Sequence, residues 1–299
     1  MNFNTLVENE KFEASIEKIH IIDRQGSQSD ELKIEILNGD YKNIERGRNI
    51  EGIFGGFKSG KMHIDKISSS IKKTQIGAIS APVSAKEKHT RHWRKVRLFD
   101  IVNDVATNLT LSVFYYGVQN FFYENVTQFN ETDLAFLNRL CIREGILLKI
   151  DNERIVMYDK ATVEKADSVL TIKSIGDVIN ENIAFSENPN MVHSVTVKYF
   201  ADRLISYTAT SGTLGAKITL REYVSSEAEA ERFAKAYLSH FTQNDITLDV
   251  LIPINDGITS GNCIGIENFA RYSGKYFVFE CYHDPKKEQT RLLGRRIKE

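Results

Sequence analysis

Apolar and polar residues alternate strictly at both ends of this chain, and that pattern restricts those ends to sheet. In ELKIEIL (31–37), Leu32, Ile34 and Ile36 share one side of an extended strand and the charged residues share the other. MHIDKIS (62–68) repeats the pattern, and Gly39, Gly47, Gly52, Gly55, Gly56 and Gly60 supply turn positions around it. Residues 1–85 therefore read as a small antiparallel β-barrel-like module. SVTVKYF (194–200), KITLREY (217–223), ITLDVLI (246–252) and KYFVFECYH (275–283) have the same character, so 166–299 reads as a second one.

Between them the period changes. Leu98, Ile101, Val102, Val105, Ala106 and Leu109 fall on one face of a helix. For a second helix Asn130 is the expected N-cap, Glu131 and Asp133 place negative charge in the first turn, and Gly145 is the left-handed C-terminal cap. Its core face is Leu134, Leu137, Leu140 and Cys141, with Phe136 beside it. ILLKI (146–150) and RIVMYD (154–159) then flank a turn at Asp151 and Asn152 and read as a hairpin. Residues 86–165 are expected as a linker followed by an α+β insert. Ser226 and Glu229 form a capping box for a further helix over about 226–241, inside the C-terminal module. The fold class is α+β, mainly β.

With 299 residues the chain has room for about two domains. Its 39 Lys and Arg against 40 Asp and Glu, with 41% hydrophobic residues, exclude a disordered chain and argue against a dedicated nucleic-acid binder. The charged N-terminal stretch is no secretory signal, and no window approaches the roughly 18 apolar residues of a membrane helix. Cys141, Cys263 and Cys281 lack the spacing of a zinc site or a disulfide framework.

Motifs of catalysis are missing. GGFKSGKM (55–62) matches G-x-x-x-x-G-K through Gly55, Gly60 and Lys61, but Met62 stands where a magnesium-binding hydroxyl belongs and a strand follows, so a hairpin turn is expected. KEKHTRHWRKVR (86–97) is strongly basic. It reads as a solvated linker anchored by Trp93, because no second aromatic is placed to stack a neighbouring base. The acceptor triplets at Asn108, Asn125 and Asn130 are irrelevant without a secretory route. No catalytic, cofactor-binding or metal-ligating residue is assigned.

QFNETDLAFLNRLCIREGILLKI (128–150) resembles the signature of the bacteriophage late control protein D family, the baseplate hubs of contractile tails, and is similar to the N-terminal hub part of type VI secretion spike proteins. The shared positions are Gln128, Asn130, Glu131, Asp133, Phe136, Leu137, Arg139, Leu140, Glu144 and Gly145. Trp93, in the approach to the preceding helix, and Gly274, Tyr276 and His283, in the closing strands, extend the resemblance.

The resemblance implies a structural baseplate hub, with no enzyme activity and no cofactor, in a phage tail, a defective prophage or a tail-like bacteriocin. It implies a homotrimer that joins a sixfold tail tube protein to a threefold central spike protein, near tape-measure and other baseplate proteins. No nucleic acid and no membrane insertion by this chain are expected. Such a chain is made in the bacterial cytoplasm and ends in a particle released by lysis. The alternative is a cell-wall (peptidoglycan) hydrolase component of such a particle.

Overall fold

The computed structural model describes residues 3–11, 15–26, 28–37, 44–188, 192–200 and 206–298. The first eight strands are β1 (Phe3–Val7), β2 (Glu10–Lys11), β3 (Ile16–Arg24), β4 (Glu31–Leu37), β5 (Asn49–Phe54), β6 (Phe57–Lys58), β7 (Met62–Ser69) and β8 (Lys73–Ile79). They pair antiparallel in the order β3-β4-β8-β7-β5-β1-β2, with β6 hairpinned onto β5. Leu32, Ile34 and Ile36 are almost fully buried, as their alternation requires, in a core with Ile19, Ile21, Ile50, Phe54, Met62 and Ile64. Gly47 and Gly60 turn the chain at positive φ, whereas Gly52 lies within β5. Gly39 falls outside the described residues. Lys61, in the near-match to a phosphate loop, pairs with Glu153 at 3.0 Å, and β7 follows it.

The middle comprises β9 (Lys88–Arg97), α1 (Leu98–Asn108), β10 (Ser112–Tyr116), β11 (Phe122–Thr132), α2 (Asp133–Glu144), β12 (Ile146–Asp151), β13 (Arg154–Asp159) and α3 (Lys160–Lys165). The expected faces of α1 and α2 are buried and the β12–β13 hairpin forms, with β10 added parallel to β13. The solvated linker is not found: residues 88–97 are a strand paired antiparallel with β11. Its inward positions are filled by Arg91 and Trp93, so it lacks the apolar alternation by which a strand is recognised.

The remainder comprises β14 (Ser168–Ile172), β15 (Ile183–Glu187), β16 (Ser194–Phe200), β17 (Ser206–Gly212), β18 (Lys217–Arg221), α4 (Glu227–Phe241), β19 (Ile246–Pro253), β20 (Cys263–Ile266), β21 (Gly274–Asp284) and β22 (Gln289–Arg296). The Ser226 hydroxyl accepts from the Glu229 N–H at 3.2 Å, while the Glu229 carboxylate reaches the Ser225 N–H and hydroxyl, one residue further out than a capping box requires. Phe233, Ala234 and Tyr237 of α4 pack on β16, β17 and α2, in one core with α1 and β9–β13. A third core gathers Ile172, Leu248, Val250, Ile264, Tyr276 and Leu292.

The α+β, mainly β architecture holds, but the terminal strands do not close into barrels. β3 pairs with β4 on one side and with β21 on the other, Ile22 standing opposite Tyr282. That second pairing occupies the edge that closure would need. It fuses both ends of the chain into one sheet, β15-β19-β22-β21-β3-β4-β8-β7-β5-β1-β2, from which β20 branches off β21 and carries β14; among the described residues the main path ends at β15 and β2 and the branch at β14.

Candidate functional site

The signature segment spans the end of β11 and the whole of α2. Asn130 is not the helix cap. It sits at φ 47° in a bulge of β11, where Asn tolerates the left-handed region, and its N–H donates to Thr90 Oγ1 at 3.1 Å. The cap is Thr132, whose hydroxyl accepts from the Ala135 N–H at 3.3 Å. Glu131 therefore precedes the helix and binds Arg139 at 2.6 Å instead of opening the first turn.

Asp133 does open α2, and it is fully buried. Its carboxylate accepts from Arg91 at 2.9 Å and from the Gln128 amide at 2.8 Å, at the helix end where negative charge is favoured. Gln128 also donates to the Glu131 carbonyl at 3.0 Å, which fixes the bulge. On the next turn Phe136 stacks on Trp93 with centroids 5.2 Å apart, and the indole N–H donates to Asp104 at 3.1 Å. Leu137 and Leu140 are fully buried in the central core. Glu144 accepts from the Tyr123 hydroxyl at 2.7 Å and from Arg232 of α4 at 2.6 Å; burial raises its pKa against the pull of Arg232. Gly145 caps α2 at φ 69°. The segment thus ties the β9–β11 ribbon (the paired strands β9 and β11), α2 and α4 together by side chains that face inward.

Gly274, Tyr276 and His283 lie elsewhere, on β21. Gly274, at φ 145°, leaves room for the Arg296 guanidinium, and Tyr276 donates to the Tyr272 carbonyl at 2.8 Å. His283 is fully buried against Phe54 and Phe57 of the N-terminal core, with Nδ1 3.0 Å from Thr290 Oγ1. Burial lowers its pKa to about 4.

A second polar centre, which no motif announces, lies where the three cores meet. Lys149 of β12 donates to Asp23 of β3 and, at 3.1 Å, to Ser260 Oγ. Ser260 in turn donates to Asp23 through its hydroxyl at 2.6 Å and its N–H at 2.8 Å. Asp30 stands 3.9 Å from the ammonium, and desolvation raises its pKa well above the usual carboxylate range. Ser260 and Lys149 have the spacing of a nucleophile and its base. Asp23 and Asp30, however, outweigh desolvation and raise the Lys149 pKa, so the amine stays protonated and cannot accept the hydroxyl proton. The centre binds three parts of the chain and does not activate a nucleophile. Lys149, a lone charge inside the apolar run ILLKI, is the one signal the sequence offered.

Among the described residues no group of three or more His, Cys, Asp and Glu side chains is placed to hold a metal ion, and no helix is long and apolar enough to cross a membrane. The three cysteines are free and buried.

Among curated proteins none matches this chain. Solved structures do. The tail protein from Neisseria meningitidis MC58 aligns with a TM-score of 0.77 at 14% identity, over 98% of this chain and 96% of that one. The 43 kDa tail protein of prophage MuSo2 from Shewanella oneidensis aligns at 0.75 and 12%, over 98% of both chains. An E. coli component of the type VI secretion system, described as structurally similar to T4 bacteriophage tail proteins gp27 and gp5, aligns at 0.61 and 11%, over 99% of this chain and 77% of that one. At these identities the likeness establishes a shared fold. The family model of the phage tail baseplate hub (GPD) matches residues 81–243, more than half the chain and nearly the same span as the central core, Ala81 to Tyr237. By that match, centred on the ribbon, α2 and α4 just described, the chain belongs to the phage tail baseplate hub family.

Proposed function

We propose that this hub joins the tail tube to the central spike as a homotrimer. The observation that carries the reading is the single sheet running through both ends of the chain, whose main path ends among the described residues at the edge strands β15 and β2. An open edge is a template for further pairing, and a head-to-tail contact between identical subunits closes into a ring when the rotation permits. Three copies would bring six terminal β regions into a pseudo-sixfold ring that meets the tube, while the threefold arrangement of central cores meets the spike. Two buried ties, Asp23–Lys149–Ser260 and Phe54–Phe57–His283, support a role in transmitting force, because load on one β region reaches the others without crossing a flexible linker.

The particle is a phage tail, a defective prophage or a tail-like bacteriocin, with the chain made in the cytoplasm and released inside the particle by lysis. Tape-measure and other baseplate proteins are its expected neighbours. Co-expression with the spike and tube proteins of the same particle tests the role. Recovery of one complex holding all three chains is the expected result, and a hub that purifies free of both would refute it.

A further inference from the structure

The pairing of the basic segment 86–97 with β11 changes what it presents. In β9, Arg91 and Trp93 turn to Asp133 and Phe136, while Lys88, Thr90, His92, Arg94, Lys95 and Arg97 are exposed. β11 runs antiparallel beside it, with His92 opposite Thr127, Arg94 opposite Asn125 and Arg97 opposite Phe122. Two phenyl rings therefore reach the outward face from a distant part of the chain. Phe122 is 46% exposed, and Phe129, beside Thr90, is 74% exposed. The sequence window around Trp93 contains neither, so the local reading of that segment as a linker lacked them.

Among the described residues Lys88, Arg94, Lys95 and Arg97 make no ion pair; the Arg97 guanidinium donates only to the Asn120 carbonyl, at 3.2 Å. Of the carboxylates on the ribbon, Glu131 is neutralised by Arg139, which leaves Glu124. The face therefore carries a net positive charge, four cations against Glu124, with hydroxyls at Thr90 and Thr127 and an aromatic ring towards each end. Seven residues of strand separate the rings, about 23 Å at roughly 3.3 Å per residue, which suits a short site of about four nucleotides.

We propose that the outward face of the β9–β11 ribbon binds single-stranded nucleic acid. Lys88, Arg94, Lys95 and Arg97 contact phosphates, and Phe122 and Phe129 each stack an unpaired base. Stacking requires exposed base faces, which selects a single strand over a duplex.

Fluorescence anisotropy of a labelled 20-nucleotide thymidylate strand, titrated with the full chain at 50 to 200 mM salt, tests this. With four phosphate contacts the logarithm of affinity should fall with the logarithm of salt at a slope of about 3. Lys88→Glu with Arg94→Glu, both at exposed positions, should weaken binding at least about tenfold and flatten that slope. Phe129→Ala should weaken it at least about fivefold and leave the slope unchanged. Absence of binding at 50 mM salt would overturn the proposal, and so would full affinity in Phe129→Ala. Poly-L-glutamate competing as well as the oligonucleotide at equal charge would also overturn it, and would assign the face to an acidic protein.

Discussion

Lys149 of β12 and Asp23 of β3 are 126 residues apart in the chain and form a buried ion pair, which Ser260 completes from the segment before β20. Each partner comes from a different core, so the pair holds three parts of the protein in one arrangement. A buried pair of this kind adds little net stability over apolar residues of the same volume, but either partner alone is costly.

Lys149→Met should therefore cost about 3–5 kcal/mol, because it leaves Asp23 buried without a cation. Adding Asp23→Leu should recover part of the loss. Urea denaturation measures both, and an unchanged midpoint in Lys149→Met would mean that the centre is solvated.

His283 makes stability depend on acid. Its folded pKa of about 4 lies below the ordinary 6.5, so the unfolded chain binds the proton more tightly. The stabilisation is complete above pH 6.5 and is lost as the pH falls towards 4, about 3 kcal/mol in all. His283→Gln keeps a polar partner for Thr290 and does not titrate. The difference between urea midpoints at pH 7 and pH 4.5 should be smaller in the variant than in the parent, and an equal difference would place the titration elsewhere.

At the start of α2, Thr132→Ala should cost about 1 kcal/mol by removing the cap. Asn130→Gly should be tolerated, because Gly accepts the left-handed backbone of the bulge without strain. Thermal unfolding compares the two, and a greater loss for Asn130→Gly would return the capping role to Asn130.

Phe136→Ala opens a cavity beneath Trp93 and should cost about 3–5 kcal/mol. An unchanged melting temperature would contradict the packing of α2 on the ribbon.

These residues mark what the sequence discloses. The helical periods of α1 and α2 and the alternation of β4 follow from local spacing, and the buried faces match it residue by residue. Asn130 misleads because Asn suits a helix cap and a left-handed bulge equally well, and Thr132, two residues on, is also a capping residue. β9 is illegible because a half-buried Arg91, neutralised by Asp133, takes the place of an apolar residue. The β3–β21 pairing joins residues more than 250 positions apart, and neither strand's pattern names its partner. The Asp23–Lys149–Ser260 centre is hidden for the same reason: three ordinary polar residues become a unit only when the three cores meet.

The copy number of the hub bound to its spike tests the central claim most directly. Light scattering of the purified hub–spike complex should give the mass of three 34.1 kDa hub chains beyond the spike itself. One or two hub chains per complex would contradict closure of the open sheet into a threefold ring.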